Sequence, residues 1–221
     1  MAATSRPGVT DDTATVGAIA IEPDTEPDSE PDSELDPRVA RSRAKVLEAA
    51  TALLVEGGPR AVTVDAVTER CGVAKSTPYR HWPSRSALLI DVFRSNIPPT
   101  EHVDLTAGFE RALRTNIANV ADSFCDPKWS KMLPALFMLK QQLSEVEELS
   151  DDDRDEKMSV LSGILDVGVA EGRIPAGLDP TTVAATLVGP MIFAIVIGEG
   201  DVEELGRFAV DRFLDSFAST D

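Results

Sequence analysis

The sequence predicts an all-α fold, and three observations support this prediction. Apolar residues recur at intervals of three or four over most of residues 38–221, Gly and Pro stops separate these runs, and no stretch alternates apolar and polar residues as a half-buried strand would. With 221 residues, of which 43% are hydrophobic, the chain is large enough to bury a core. We therefore expect helices throughout, apart from a proline-rich beginning.

The first predicted unit contains four helices. Thr63 and Ser84 are predicted N-caps, and Gly72 supplies the positive φ that a tight turn between helices needs. Trp82 is expected in the core. The four helices are predicted over about 38–57, 64–71, 75–82 and 85–93.

The second predicted unit contains five helices with apolar stripes. Ser150 is expected to begin its third helix, because it precedes Asp151, Asp152 and Asp153. Asp179 is expected to cap the fourth helix. The five helices are predicted over about 106–124, 130–143, 150–172, 183–197 and 201–217.

Charge divides the chain into three segments that match these boundaries. Residues 1–37 have a net charge of −9, residues 38–98 a net charge of +5 and residues 99–221 a net charge of −13. The first segment repeats Glu-Pro-Asp at four-residue intervals, which forbids a helix and predicts a disordered acidic tail. The predicted domains are therefore this tail, a basic head over 38–98 and an acidic helical domain over 99–221.

Several function classes are excluded by missing motifs. The sequence contains no glycine-rich phosphate loop, no Gly-x-Ser-x-Gly and no His-Glu-x-x-His. Two histidines and two isolated cysteines argue against a metal site, a cofactor or a disulfide framework, so we expect no enzyme. The apolar run over 183–198 is shorter than the roughly 20 residues of a membrane span, and residues 1–37 lack a signal peptide. We therefore expect a cytoplasmic protein.

Two short helices joined by a glycine-containing turn inside a basic unit form the helix-turn-helix pattern. This pattern places the third helix in the major groove of double-stranded DNA. Its predicted outer face is polar and carries hydrogen-bond donors. These residues are Lys75, Ser76, Thr77, Tyr79 and Arg80.

The segments over 61–67 and 71–89 resemble the DNA-binding domain of TetR-type (tetracycline-repressor-like) bacterial transcriptional regulators. The resemblance implies base or phosphate contacts for Lys75, Ser76 and Tyr79, and phosphate contacts for Thr63, His81 and Arg85. Packing roles for Tyr79 and His81 are the alternatives. Pro78 stands where such proteins usually carry an aliphatic residue. Because proline is tolerated only in the first turn of a helix, we predict that the third helix begins near Ser76 or Thr77.

The predicted helix over 183–197 is apolar on nearly every side, so most of its surface must be covered. A partner chain is the economical cover and gives a two-fold homodimer through a four-helix bundle, as the resemblance also implies. Central burial in a monomer is the alternative. The predicted interface residues are Val183, Leu187, Met191, Ile195, Phe208, Phe213 and Phe217.

The resemblance further implies a small apolar effector that shifts the balance between DNA-competent and incompetent states. We predict that the Phe- and Met-rich segment over 109–165 lines its pocket, with an ordinary core as the alternative. The candidate residues are Phe109, Phe124, Trp129, Phe137, Met138 and Gln141.

These features together predict a dimeric regulator, most simply a repressor, that binds a pseudo-palindromic operator. The alternative is a helical ligand-binding or protein-interaction module that has lost specific DNA binding, which Pro78 and the acidic tail keep open. We also consider that the tail, as a polyanion, competes with DNA for the basic head.

Overall fold

The structure, a computed structural model, describes residues 37–218. Within this range it contains helices and no strand, which confirms the predicted all-α fold. The predicted acidic tail over 1–36 and the proposed competition with DNA lie outside the described residues. The helices are α1 (Pro37–Gly57), α2 (Val64–Cys71), α3 (Ser76–His81), α4 (Arg85–Arg94), α5 (Phe109–Cys125), α6 (Pro127–Lys140), α7 (Ser144–Ala170), α8 (Pro180–Ile197) and α9 (Val202–Asp215).

The first four helices follow the predicted local signals. Thr63 accepts a hydrogen bond from the backbone N–H of Ala66 at 3.2 Å, and Ser84 accepts one from that of Ala87 at 3.1 Å. Both side chains therefore cap their helices as predicted. Gly72 ends α2 with a φ of 69°, a conformation that favours glycine.

The boundaries of α5 and α6 differ from the predicted ones. Helix α5 begins at Phe109 rather than Thr106, because Leu105–Ala107 forms a separate 3-10 turn. Helix α6 begins at Pro127 rather than Ser130. Asp126, which lies between the two predicted helices, caps α6 by accepting from the N–H groups of Lys128 and Trp129 at 2.9 and 2.7 Å.

Helix α7 begins at Ser144 rather than at the predicted Ser150, so the acidic residues that follow Ser150 lie within the helix. Three ion pairs offset their mutual repulsion: Lys140 of α6 and Arg154 both pair with Asp151, and Lys157 pairs with Asp153 one turn earlier. Val146 of the first turn is fully buried, which holds the beginning of α7 against the protein.

The described chain has two apolar cores. The first joins the inner faces of α1, α2 and α4 to α6, whose Trp129, Met132 and Leu136 are buried there. The second joins α5, the C-terminal half of α7, α8 and α9. Phe124, near the end of α5, packs against both cores. The core of the basic head therefore continues beyond residue 98 into α6.

Helix α8 is long and apolar enough, by length and composition, to cross a membrane, with a mean hydropathy of 1.9. One of its faces nevertheless packs inside the protein, because Val183, Leu187, Met191 and Ala194 are buried. Asp179 caps this helix as predicted, with Pro180 as its first residue.

Candidate nucleic-acid interface

Helix α3 begins at Ser76, which confirms the expected effect of Pro78. Pro78 is the third residue of the helix, where a backbone N–H would have no partner within the helix in any case. Its ring is buried, as the aliphatic residue usual at this position would be, and its carbonyl accepts from the N–H of Trp82 at 2.7 Å. The unusual proline is therefore compatible with a formed helix of six residues.

The outer face of α3 is open. The side chain of Tyr79 is 63% exposed, and Lys75, Ser76 and Arg80 are exposed beside it. Thr77 is half-buried, so it is less available than the other four predicted residues. The structure thus brings a phenol, a hydroxyl and two cations together on one surface, where they can donate hydrogen bonds to phosphates and base edges.

Lys75, at the N-terminal end of this face, has an ion-pair partner that we did not predict. Its Nζ lies 2.5 Å from Oδ1 of Asp65, in the first turn of α2, and both side chains are well exposed. The hydrogen bond that Lys75 donates to Asp65 is the main cause that raises the pKa of Lys75. A carboxylate therefore lies on the same surface as the cation predicted to contact DNA.

The remaining predicted phosphate contacts lie at the last residue of α3 and at the beginnings of α2 and α4. Thr63 is exposed at the start of α2, and His81 is half-buried with its ring edge-on to Trp82, at 5.5 Å between centroids. Arg85 is exposed, but its guanidinium donates to the backbone carbonyls of Val62, at 2.7 Å, and of Pro59. Arg85 thus fixes the loop before α2, and its contact with phosphate stays a prediction.

The candidate effector residues do not surround one cavity, so a single pocket lined by all six is wrong. Trp129 is buried in the first core, Phe109 in the second, and Phe124 lies between them. Phe137 and Met138 are exposed on the surface of α6, and Gln141 is exposed directly after its end. Helical spacing predicted which residues share a face of one helix, but it carried no information on which faces meet.

Open cavities within the described range include two that lie among the C-terminal helices. One, of about 280 Å³, lies between α5 and α9 and is bordered by the charged residues Arg114, Asp122, Glu203 and Arg207. The other, of about 430 Å³, lies at the start of α5, and of the six candidates only Phe109 lines it. In residues 37–218 no group of three or more His, Cys, Asp or Glu side chains is placed to hold a metal ion.

Three of the predicted interface residues are wrong. Val183, Leu187 and Met191 are buried in the second core of the single chain, so they have no surface left for a partner. Ile195, Phe213 and Phe217 are half-buried, whereas Phe208 is largely exposed. For the last four residues, the contact with a partner stays a prediction.

Sequence reasoning missed the exposed apolar side of α8. Phe193 is 63% exposed, and Val196 and Ile197 are exposed with it, as is Phe208 on α9. We define these four residues as the apolar face. The sequence signal for this surface was that α8 is apolar on nearly every side. Because apolar residues four positions apart occur on both the inner and the outer side of the helix, their spacing does not identify the exposed side.

Comparisons with known proteins agree with this geometry. Residues 46–92 match a family described as bacterial regulatory proteins of the tetR family, and residues 104–213 match a tetracyclin repressor-like C-terminal domain. An uncharacterised helix-turn-helix-type transcriptional regulator of Bacillus subtilis (strain 168), YdeS, is 27% identical over 170 residues, which cover 76% of this chain and 85% of that protein.

Solved structures of regulators share the fold. A TetR transcriptional regulator from Agrobacterium tumefaciens superposes with a TM-score of 0.64 at 18% identity, over 81% of this chain and 95% of that one. A flavonoid-responsive regulator, FrrA, superposes with a TM-score of 0.60 at 23% identity, over 80% of this chain and 97% of that one. The chain therefore belongs to the tetR family of bacterial transcriptional regulators, with an N-terminal helix-turn-helix domain and a C-terminal helical domain.

Proposed function

We propose that this regulator is a cytoplasmic homodimeric repressor that binds a pseudo-palindromic DNA operator through α3 and is released by a small apolar effector. The observation that carries the DNA contact is the open polar face of α3, where Lys75, Ser76, Tyr79 and Arg80 lie side by side. Thr63, Thr77, His81 and Arg85 lie at its margins, and we assign them supporting contacts, mainly to phosphates.

The apolar face supports the dimer. Large apolar side chains that stay exposed together on neighbouring helices mark an interaction surface. In a dimer with a two-fold axis at this face, α8 and α9 of both chains form a four-helix bundle. The dimer then presents two copies of α3. Two recognition helices about 34 Å apart read half-sites one helical turn apart.

The support for an effector comes from the comparisons. The structural relative FrrA is described as flavonoid-responsive, and flavonoids are flat, largely apolar molecules. An effector acts here by binding one arrangement of the two heads better than the other. Family members of this kind are regulators, so we assign no catalytic step and no cofactor.

The DNA proposal is tested by selecting bound sequences from random duplex DNA and then titrating the selected site with the purified protein. We expect affinity to fall steeply with salt, since several phosphates are contacted. Lys75→Ala should weaken the selected site by about tenfold or more. Arg154→Ala, which removes an exposed, ion-paired cation from α7, is the matched control and should leave affinity unchanged.

The same selection experiment also distinguishes the proposed function from the alternative one. Enrichment of a palindromic sequence, with the loss of affinity confined to Lys75→Ala, supports the proposal. Binding to no duplex, even at low salt, overturns it and favours a helical ligand-binding or protein-interaction module. Equal weakening by Lys75→Ala and Arg154→Ala shows that only net charge matters and overturns the assignment to α3.

A further inference from the structure

The carboxylate of Asp91 on α4 joins three parts of the head. Oδ2 accepts from the indole Nε1 of Trp82 at 2.8 Å and from Nη2 of Arg43 on α1, and Oδ1 accepts from Nη1 of Arg94 at 2.8 Å. The side chain of Asp91 is only 17% exposed, so these contacts are partly shielded from water. Asp91 is the one acidic residue in α4.

Trp82 links this carboxylate to the recognition helix. It is the residue that directly follows α3, where the backbone turns from helical to extended, and its ring is buried. The guanidinium of Arg43 lies over the ring at 5.5 Å from its centroid, and the ring of His81 meets it edge-on. The indole thus has three contacts: its N–H with Asp91, one face with Arg43, and its ring with that of His81.

Helix α3 needs such an external anchor. Six residues are less than two turns, and a helix of this length is not stable by itself in water. The N-terminal end of α3 has no side-chain cap, and Pro78 is the one buried residue of the helix. Trp82 therefore anchors the C-terminal end of α3, next to Tyr79 and Arg80.

We propose that Asp91 is a positioning residue for operator recognition: by holding Trp82 and Arg43 together, it sets the orientation of α3. This inference rests on the proposed function of α3. Hydrogen bonds to base edges depend strongly on geometry, whereas contacts with phosphates tolerate small displacements. Loss of Asp91 should therefore lower specific affinity much more than affinity for random DNA.

Two variants separate the hydrogen bond from the charge. Trp82→Phe keeps an aromatic ring in the core and removes the N–H donor together with part of the indole volume. Asp91→Asn keeps an oxygen that accepts from Trp82 and removes the charge that holds Arg43 and Arg94. Asp91→Ala removes both interactions. Asp151→Asn is the matched control, because Asp151 is also an ion-paired and partly shielded aspartate, but it joins α6 to α7.

The experiment measures two dissociation constants for the full chain, one for the selected operator and one for a random duplex, together with the thermal midpoint. We expect Asp91→Ala and Trp82→Phe to lower the ratio of specific to random affinity by about tenfold, which corresponds to the loss of about one base contact. Asp91→Asn should lower the ratio less than Asp91→Ala, and Asp151→Asn should leave it unchanged.

The outcomes distinguish this inference from the function on which it rests. If the unmodified protein binds its operator and both Asp91→Ala and Trp82→Phe keep the same ratio, the inference is overturned even where their thermal midpoints fall, since Asp91 is then only structural. If the unmodified protein shows no preference for any sequence, the proposed function fails and the inference fails with it. Should Asp91→Ala not fold, Trp82→Phe decides the question.

Discussion

Two residues of α8 that lie only two positions apart should respond in opposite ways to the same truncation. Met191 is fully buried, and its sulfur lies in the second core beside Gly206 of α9. Phe193 belongs to the apolar face and is 63% exposed in the single chain. Met191→Ala and Phe193→Ala therefore test separately the core of the chain and its proposed contact with a partner.

The expected magnitudes follow from burial. Replacing a fully buried methionine by alanine costs about 2–5 kcal/mol of the free energy of unfolding, because it removes apolar contacts and leaves a cavity. Phe193 buries only about a third of its side chain within the chain, so its truncation should cost roughly 1 kcal/mol or less there. An aromatic anchor in an interface contributes about 2 kcal/mol or more, which is about a 30-fold weaker dimer. A two-fold interface contains the residue twice, so the combined effect reaches about 1,000-fold.

The assay compares urea unfolding, followed by circular dichroism at one protein concentration, with sedimentation velocity over a range of concentrations. We expect Met191→Ala to unfold at lower urea and to remain dimeric. Phe193→Ala should dissociate while its monomer keeps most of its stability. Dissociation of Met191→Ala without loss of stability, or a destabilisation by Phe193→Ala as large as that by Met191→Ala, would refute the reasoning. A wild type that is monomeric at all concentrations would refute the proposed dimer itself.

Three further predictions concern charge. Asp65→Asn releases Lys75, so we expect tighter binding to random duplex DNA and a salt dependence steeper by about 0.9 in the log–log slope; an unchanged slope would show that Lys75 does not reach phosphate. Deletion of residues 1–36 removes a net charge of −9 and should tighten DNA binding, most of all near about 50 mM salt, and equal affinities there would exclude a role for the tail. Asp179 caps α8, and its hydrogen bonds, above all that from the Thr182 hydroxyl, lower its pKa below the ordinary 3.8; its stabilisation is therefore present above that pH and is lost as the pH falls through the lowered pKa. Asp179→Ala should lower the thermal midpoint at pH 7 and reduce the further fall of the midpoint in acid. Parallel curves of thermal midpoint against pH for the variant and the unmodified protein would contradict this.

Local chemistry explains what could be predicted from the sequence. The caps at Thr63 and Ser84, the left-handed turn at Gly72 and the start of α3 before Pro78 each depend on residues only a few positions apart. The polar face of α3 follows from helical spacing alone, and the structure exposes most of it.

Contacts between distant residues explain what could not be predicted. The choice between the two sides of α8 depends on where α5 and α9 lie, and the apolar sequence of α8 gives no preference. The side chains of Trp129 and Phe137 are similar in character, yet one is buried against the head and the other is exposed. The acceptor for Trp82 lies nine positions away on another helix, and nothing near Trp82 in the sequence identifies Asp91.

The insertion of α6 into the first core constrains how this protein can be divided or recombined. A fragment ending at residue 98 would uncover the apolar surface of the head, including that of α1, against which Trp129, Met132 and Leu136 of α6 are buried, and such surfaces promote aggregation. Hybrid regulators made by exchanging heads between family members should therefore transfer α6 together with α1–α4. A junction in the loop between α6 and α7, near residue 142, would preserve the packing of α6 against the head but would separate α4 from Val146 of α7, whereas one before α5 would mismatch both contacts.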